Sequence, residues 1–169
     1  MSDRKIQLEK LLIKNKVKHA KIQLIDDLKN YYNIDISDKK FFDFLKTEEV
    51  YQKVYELIKT NDIKSFKIPY SEEILYSKIE FIFEYYKSYE QETVLFYPPT
   101  AGLYSRNCDQ LILNYPLALV LSLLESKNII MKFLLDMQDD LIIVSENYKF
   151  GFVMSVDEYS DITIEYWGK

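Results

Sequence analysis

The sequence holds one cysteine, one histidine and three glycines, and each scarcity closes off a chemistry. Cys108 cannot close an internal disulfide, and with His19 as its sole imidazole partner the chain cannot assemble a Cys/His zinc cluster. No GxGxxG, Walker, GxSxG or HExxH pattern occurs, so the nucleotide, hydrolase and metalloprotease signatures are absent. Neither a metal nor a cofactor is expected. Long apolar runs are missing as well. No stretch approaches the roughly 18 apolar residues of a membrane span, and the opening MSDRKIQLEK lacks the apolar core of a signal peptide. The expectation is a cytoplasmic protein.

What the chain does have is apolar mass and aromatic rings. Residues of hydrophobic type make up 48% and charged residues 29%, which gives enough apolar surface to offset the entropy of ordering one core. Fifteen tyrosines and ten phenylalanines stand out. A tyrosine buries its ring while keeping its hydroxyl wet, a combination enriched at partner surfaces. Net charge is −5, but it is unevenly spread. From Met1 to Pro69 there are 15 Lys and Arg against 11 Asp and Glu; from Tyr70 to Lys169 there are 7 against 16. The most acidic segment is Asp136 to Glu165, where eight carboxylates face Lys149 alone. Such asymmetry bears on partners and association rates.

Three of the four prolines and one of the three glycines punctuate the middle of the chain. Pro98, Pro99, Gly102 and Pro116 cluster between Thr93 and Ser126, marking a junction between helix-like and strand-like sequence. Before it, Asp3 can cap a helix carrying Leu8, Leu11 and Leu12. A second apolar phase, Val17, Ala20, Leu24, Leu28 and Tyr31, predicts a bend near Asn15. Ser37 reads as the cap of a helix over DKKFFDFLK, and Thr47 as the cap of another with Val50, Tyr51, Val54, Leu57 and Ile58 inward. Lys59 to Tyr70 reads as a loop or short strand. Ser71, Glu72 and Glu73 open a helix to about Tyr89.

Within the junction, Thr93 to Tyr97 has strand composition. Asn107 with Gln110 forms a capping-box pattern for a helix from Cys108. Pro116 suits the first turn of a further helix carrying Leu117 to Leu124. Beyond it, strands are expected at Asn128 to Leu135, Leu141 to Val144, Phe150 to Val156 and Ile162 to Tyr166. Glu146 to Lys149 is the turn of one hairpin and Asp157 to Asp161 the loop of the next. The fold class is α+β: an N-terminal helical region, residues 1–92, packed on a C-terminal antiparallel meander, residues 127–169, in a single domain of 169 residues.

Catalysis has one candidate. Cys108 lies in RNCD at an expected helix N-terminus, where the dipole lowers a thiol pKa. A thiol nucleophile also needs a positioned base, and His19 sits in a lysine-rich helix with no motif around it. The acid pairs Asp26-Asp27, Glu48-Glu49, Glu72-Glu73 and Asp139-Asp140 are better explained by capping or solvation, because adjacent side chains on a helix diverge. Lys10, Lys14, Lys18 and Lys21 fall within an arc of about 80° on a continuous helix, and such a row can contact phosphates. The acidic end carries Tyr148, Tyr159, Tyr166 and Trp167, a composition that suits recognition of a basic protein.

The segments FYPPTAG, NYPLALVLSLL, DDLIIVSENYKFGFVMSVDEYSD and the closing IEYW, between Phe96 and Trp167, resemble the small acidic immunity proteins that bacteria pair with toxins delivered by contact. The resemblance implies a non-enzymatic cytoplasmic protein that binds one cognate toxin domain, frequently a basic nuclease, and covers its active site. On charge and side-chain type, the partner-binding residues are expected to be Asp157, Glu158, Tyr159, Asp161, Glu165 and Trp167. No catalytic, cofactor or metal residue is expected. A nucleic-acid-binding or regulatory protein using the N-terminal lysines is the alternative.

Overall fold

A computed structural model describes residues 3–60, 62–99, 117–136 and 140–168. The architecture is α+β, with four α-helices and a seven-stranded antiparallel sheet among the described residues. Helix α1 spans Asp3–Tyr32, β1 Lys40–Phe41, α2 Phe44–Leu57, β2 Lys64–Ile68 and α3 Glu72–Tyr85, followed by a 3-10 turn at Lys87–Tyr89. Then come β3 Thr93–Tyr97, β4 Leu119–Ser122, α4 Leu123–Phe133, β5 Leu141–Ser145, β6 Gly151–Val156 and β7 Ile162–Trp167. The strand order is β1-β4-β3-β5-β6-β7-β2. Two strands from the first 68 residues therefore close both edges of the C-terminal meander, so the sheet is not built from the C-terminal half alone. Among the described residues no helix is long and apolar enough to cross a membrane.

Helices cover both sheet faces. On one face Leu24 and Leu28 of α1, Leu75, Ile79 and Ile82 of α3, and Ile130 of α4 pack against Phe96, Leu119, Ile143, Phe152 and Ile164. On the other, Val50 and Val54 of α2 pack against Leu95, Ile142, Val144, Val153 and Trp167. The period of two along each strand sends alternate residues to these two cores. Two buried tyrosines tie the layers together. The Tyr97 hydroxyl donates to the Thr47 carbonyl at 3.0 Å, and the Tyr86 hydroxyl lies 2.7 Å from the Gly151 carbonyl and 2.8 Å from that of Trp167. Burial pushes both phenols up, so both stay protonated donors.

Several expected elements are corrected. α1 runs unbroken through Asn15, because its two apolar phases are two sides of one helix: Val17, Ala20, Leu24 and Leu28 face the core, and Leu8, Leu11 and Leu12 face solvent. It ends at Asn33, which adopts φ 54° and donates to the Lys29 carbonyl at 3.1 Å. No helix starts at Ser37. The Asp35 carboxylate accepts from the Ser37 N–H and Oγ, a local turn that competes with helix, and Lys40–Phe41 pairs with β4 instead. One helix, α2, replaces the two expected there; Asp43 caps it by accepting from Leu45 N at 2.9 Å, and Thr47 lies inside it.

Leu117 to Leu124 is a strand followed by a helix start, not a helix. An apolar run buried on both faces is what a central strand requires, and periodicity alone does not distinguish it from a buried helix. Asn128 to Leu135 is helical rather than strand-like. Its helix begins with a capping box in which Ser122 Oγ accepts from Glu125 N and Glu125 Oε2 accepts from Ser122 N. Ser71 occupies the N-cap of α3 without a side-chain cap bond, and the α-helix stops at Tyr85. The expectations at Gly102, Asn107, Cys108 and Pro116 lie outside the described residues.

Candidate functional site

Helix α2 covers Leu95, Ile142, Val144, Val153 and Trp167, and leaves open the ends of β6 and β7 next to their connecting loop, with β2 beside them. In-register rows build that open surface. Glu165 and Ser65 form one row across β7 and β2, bounded on β6 by Val153, which α2 buries, and Ser155, Thr163 and Lys67 form the next. Ser65 and Lys67 are exposed, and Ser155, Thr163 and Glu165 are half-buried. Asp140, immediately before β5, shares the facing of Ile142 and Val144 and so borders the same surface. The Tyr55 hydroxyl of α2 donates to Asp140 Oδ2 and lies 3.5 Å from the Tyr51 hydroxyl. Burial, then the bond to Asp140, raises the Tyr55 phenol above its ordinary range and keeps it a donor.

The β6–β7 loop closes the patch. Asp157 is its organiser. Its Oδ1 accepts from the backbone N–H of Tyr159 and of Asp161, each at 2.9 Å, and its Oδ2 receives the Lys67 ammonium at 2.7 Å. Lys67 also lies 3.4 Å from Asp161 Oδ2. The Lys67 bond, aided by the two backbone donors, holds the Asp157 carboxyl below its ordinary value, so this clamp opens only as pH falls through that depressed value. Ser160 takes a left-handed φ of 65° to complete the turn. Glu158 is exposed and Tyr159 is 79% exposed at the tip.

Of the six expected contact residues, the structure brings Asp157, Glu158, Tyr159, Asp161 and Glu165 to this one end of the sheet. Trp167 is corrected: it is 6% exposed, packs with the α2 core and donates its indole N–H to the Tyr148 carbonyl at 3.0 Å. The β7 strand sends it to the same face as Glu165, but under α2. Asp157 is tied into its own loop, which leaves Glu158, Tyr159 and Asp161 as the outward groups. Sequence reasoning missed Tyr55 and Lys67, which arrive from α2 and β2 through tertiary pairing. Asp140 was visible as one carboxylate of the acidic segment and as half of an acid pair, and its partner Asp139 lies outside the described residues. His19 is exposed on α1. Among the described residues no three His, Cys, Asp or Glu side chains are grouped to hold a metal.

The chain matches no family model, no curated protein and no solved structure. The site is therefore read from its own chemistry.

Glu165 carries the most informative electrostatics. Burial is the larger cause and the neighbouring Asp140 charge the smaller, and both raise its carboxyl above the ordinary 4.5. A raised carboxyl means that the folded chain holds this proton more tightly than the unfolded chain does. The ionised group therefore weakens folding as pH climbs from 4.5 through the folded value, and the penalty is complete above it. Glu165→Gln should accordingly raise the urea midpoint at pH 7, and the gain should fade below about pH 4.5. An equal gain at both pH values would contradict this electrostatic origin.

Proposed function

We propose that this protein is a non-enzymatic immunity protein of the cytoplasm that neutralises a basic toxin domain by covering it with the acidic end of its sheet. One observation carries the reading: Asp140, Asp157, Glu158, Asp161 and Glu165 converge on an open sheet face beside an exposed tyrosine, with Lys67 clamped between two of them. An acidic surface with five carboxylates against the single Lys67 ammonium steers a cationic partner, and Tyr159 offers a rigid ring for its centre. The raised Glu165 carboxyl supports the same reading, since a guanidinium or ammonium docking there would relieve its repulsion with Asp140. The resemblance of Phe96 to Trp167 to immunity proteins agrees with it. The test is to mix the purified protein with the toxin domain encoded beside its gene. Formation of a 1:1 complex with loss of toxin activity is expected, and full toxin activity at a several-fold excess of this protein would overturn the proposal.

A second reading is nucleic-acid binding, and the continuity of α1 favours it by keeping Lys10, Lys14 and Lys18 in one exposed row. It predicts an electrophoretic shift that disappears on replacing these three lysines with glutamine. No shift at low salt removes it.

A further inference from the structure

The carboxylates at the acidic end of the sheet are held in different ways. Asp157 is fixed by its own loop and Lys67, whereas Glu158 is exposed on the tip of that loop. Asp140 is fixed from across the fold. The hydroxyl of Tyr55, 85 positions earlier in α2, donates to its Oδ2, and among the described residues nothing donates to its Oδ1. One oxygen is engaged by the fold and the other is left for a partner.

The donor is itself held rigidly. The Tyr55 ring packs with the α2 core against Tyr51, ring centres 4.8 Å apart, and Tyr51 meets Tyr97 at 5.9 Å. Tyr97 is buried and bonded to the Thr47 carbonyl at 3.0 Å. Three rings thus run from the middle of the sheet towards Asp140, and the last of them sets its hydroxyl on the carboxylate.

We propose that Tyr55 is a positioning residue of this surface, holding the Asp140 carboxylate so that Oδ1 meets a cationic side chain of the basic partner beside Glu165. The proposal rests on the acidic sheet end being the partner-binding face. A free surface carboxylate loses rotamer freedom on binding, and one already ordered in the unbound protein avoids that cost. A hydroxyl bond to an ionised acceptor is strong enough to impose the order. The position matters because of Glu165. Its in-register neighbours Val153 and Ser65 are neutral, Lys67 is engaged by Asp157 and Asp161, and Asp140 is the charge that acts on it. A cation docked between Asp140 and Glu165 meets both.

The experiment is a double-mutant cycle read in the dissociation rate from the proposed basic partner, the toxin domain encoded beside the gene. Asp140→Asn should speed dissociation about tenfold and Tyr55→Phe several-fold, and the two together should match Asp140→Asn alone, because the phenol acts through the carboxylate. Both substitutions keep side-chain shape, and urea midpoints report any loss of folding separately. Effects that multiply in the double variant, or a Tyr55→Phe complex as long-lived as the wild type's, overturn the proposal and leave the binding face standing. Failure of the wild type to form a complex removes the reading itself and the proposal with it. In the unbound protein, proton NMR should show a slowly exchanging downfield Tyr55 hydroxyl, absent in Tyr55→Phe and moved upfield in Asp140→Asn as the acceptor loses its charge. A resonance unmoved by Asp140→Asn means that the phenol bonds elsewhere, and overturns the proposal without any partner present.

Discussion

Replacing Gly151 with alanine should destabilise the fold by about 3–5 kcal/mol. Gly151 opens β6 between Val144 of β5 and Trp167 of β7. A methyl group there would sit 2.5 Å from the Ile143 carbonyl oxygen and 2.7 and 2.9 Å from two ring carbons of Trp167. Neither neighbour can yield cheaply. Ile143 belongs to a fully buried central strand, and the Trp167 indole is held by its bond to Tyr148 and by the α2 core. Moving β6 would also pull the Gly151 carbonyl from Tyr86. Overpacking of this kind costs roughly 1–3 kcal/mol, and each disturbed hydrogen bond adds about 1 kcal/mol. Because a domain is stable by only about 5–15 kcal/mol, the variant should unfold at markedly lower urea. A loss below about 1 kcal/mol would mean that the sheet accommodates the methyl by a route absent from this packing.

The second large effect concerns binding. Glu158→Lys, Asp161→Lys and Glu165→Lys together should slow association with the proposed basic partner by about 100-fold at low salt, since charge steering separates steered from unsteered association by that order. Asp157 is deliberately spared. It accepts two backbone N–H groups and the Lys67 ammonium, so its removal would unfold the loop and confuse a binding defect with a structural one. Tyr159→Ala tests the same surface through the other rate constant. As an exposed ring outside the core, its loss should leave stability unchanged and speed dissociation about tenfold or more. Stopped-flow and surface-binding kinetics read both. An unchanged association rate in the triple variant would place the partner on another face.

How much of this was legible in the sequence varies with the physics of each segment. The alternation of Phe150, Phe152 and Met154 against Gly151 and Val153, and of Ile162, Ile164 and Tyr166, marks strands whose two faces meet different surroundings, and β6 and β7 are there. The helix after Ser71 and the turn at Glu146 to Lys149 were legible for the same local reasons. The run from Leu117 to Leu124 was not, because a strand sandwiched between α2 and the opposite helices is apolar on both sides and shows no period. The Ser122–Glu125 capping box is present in the sequence as S-x-x-E and marks the start of α4, whereas Asn128 to Leu135 taken alone has the composition of a strand. β2 falls within Lys59 to Tyr70, which reads as a loop or short strand, whereas β1 is a two-residue edge strand fixed by its partners Leu119 and Val120, so its existence is a tertiary fact. For the site, charge located the acidic end, and the loop residues Glu158, Tyr159 and Asp161 were reachable from it. Trp167 was not: its parity along β7 puts it on the face of Glu165, and only the position of α2 decides that one is covered and the other open.

The most direct test of the central claim, that the acidic sheet end recruits a basic partner, is the salt dependence of the wild-type association rate with the toxin domain. The rate should fall at least about tenfold between roughly 0.05 M and 0.5 M salt, as screening shortens the reach of the patch, while dissociation changes little. A rate that stays flat across that range would contradict the account.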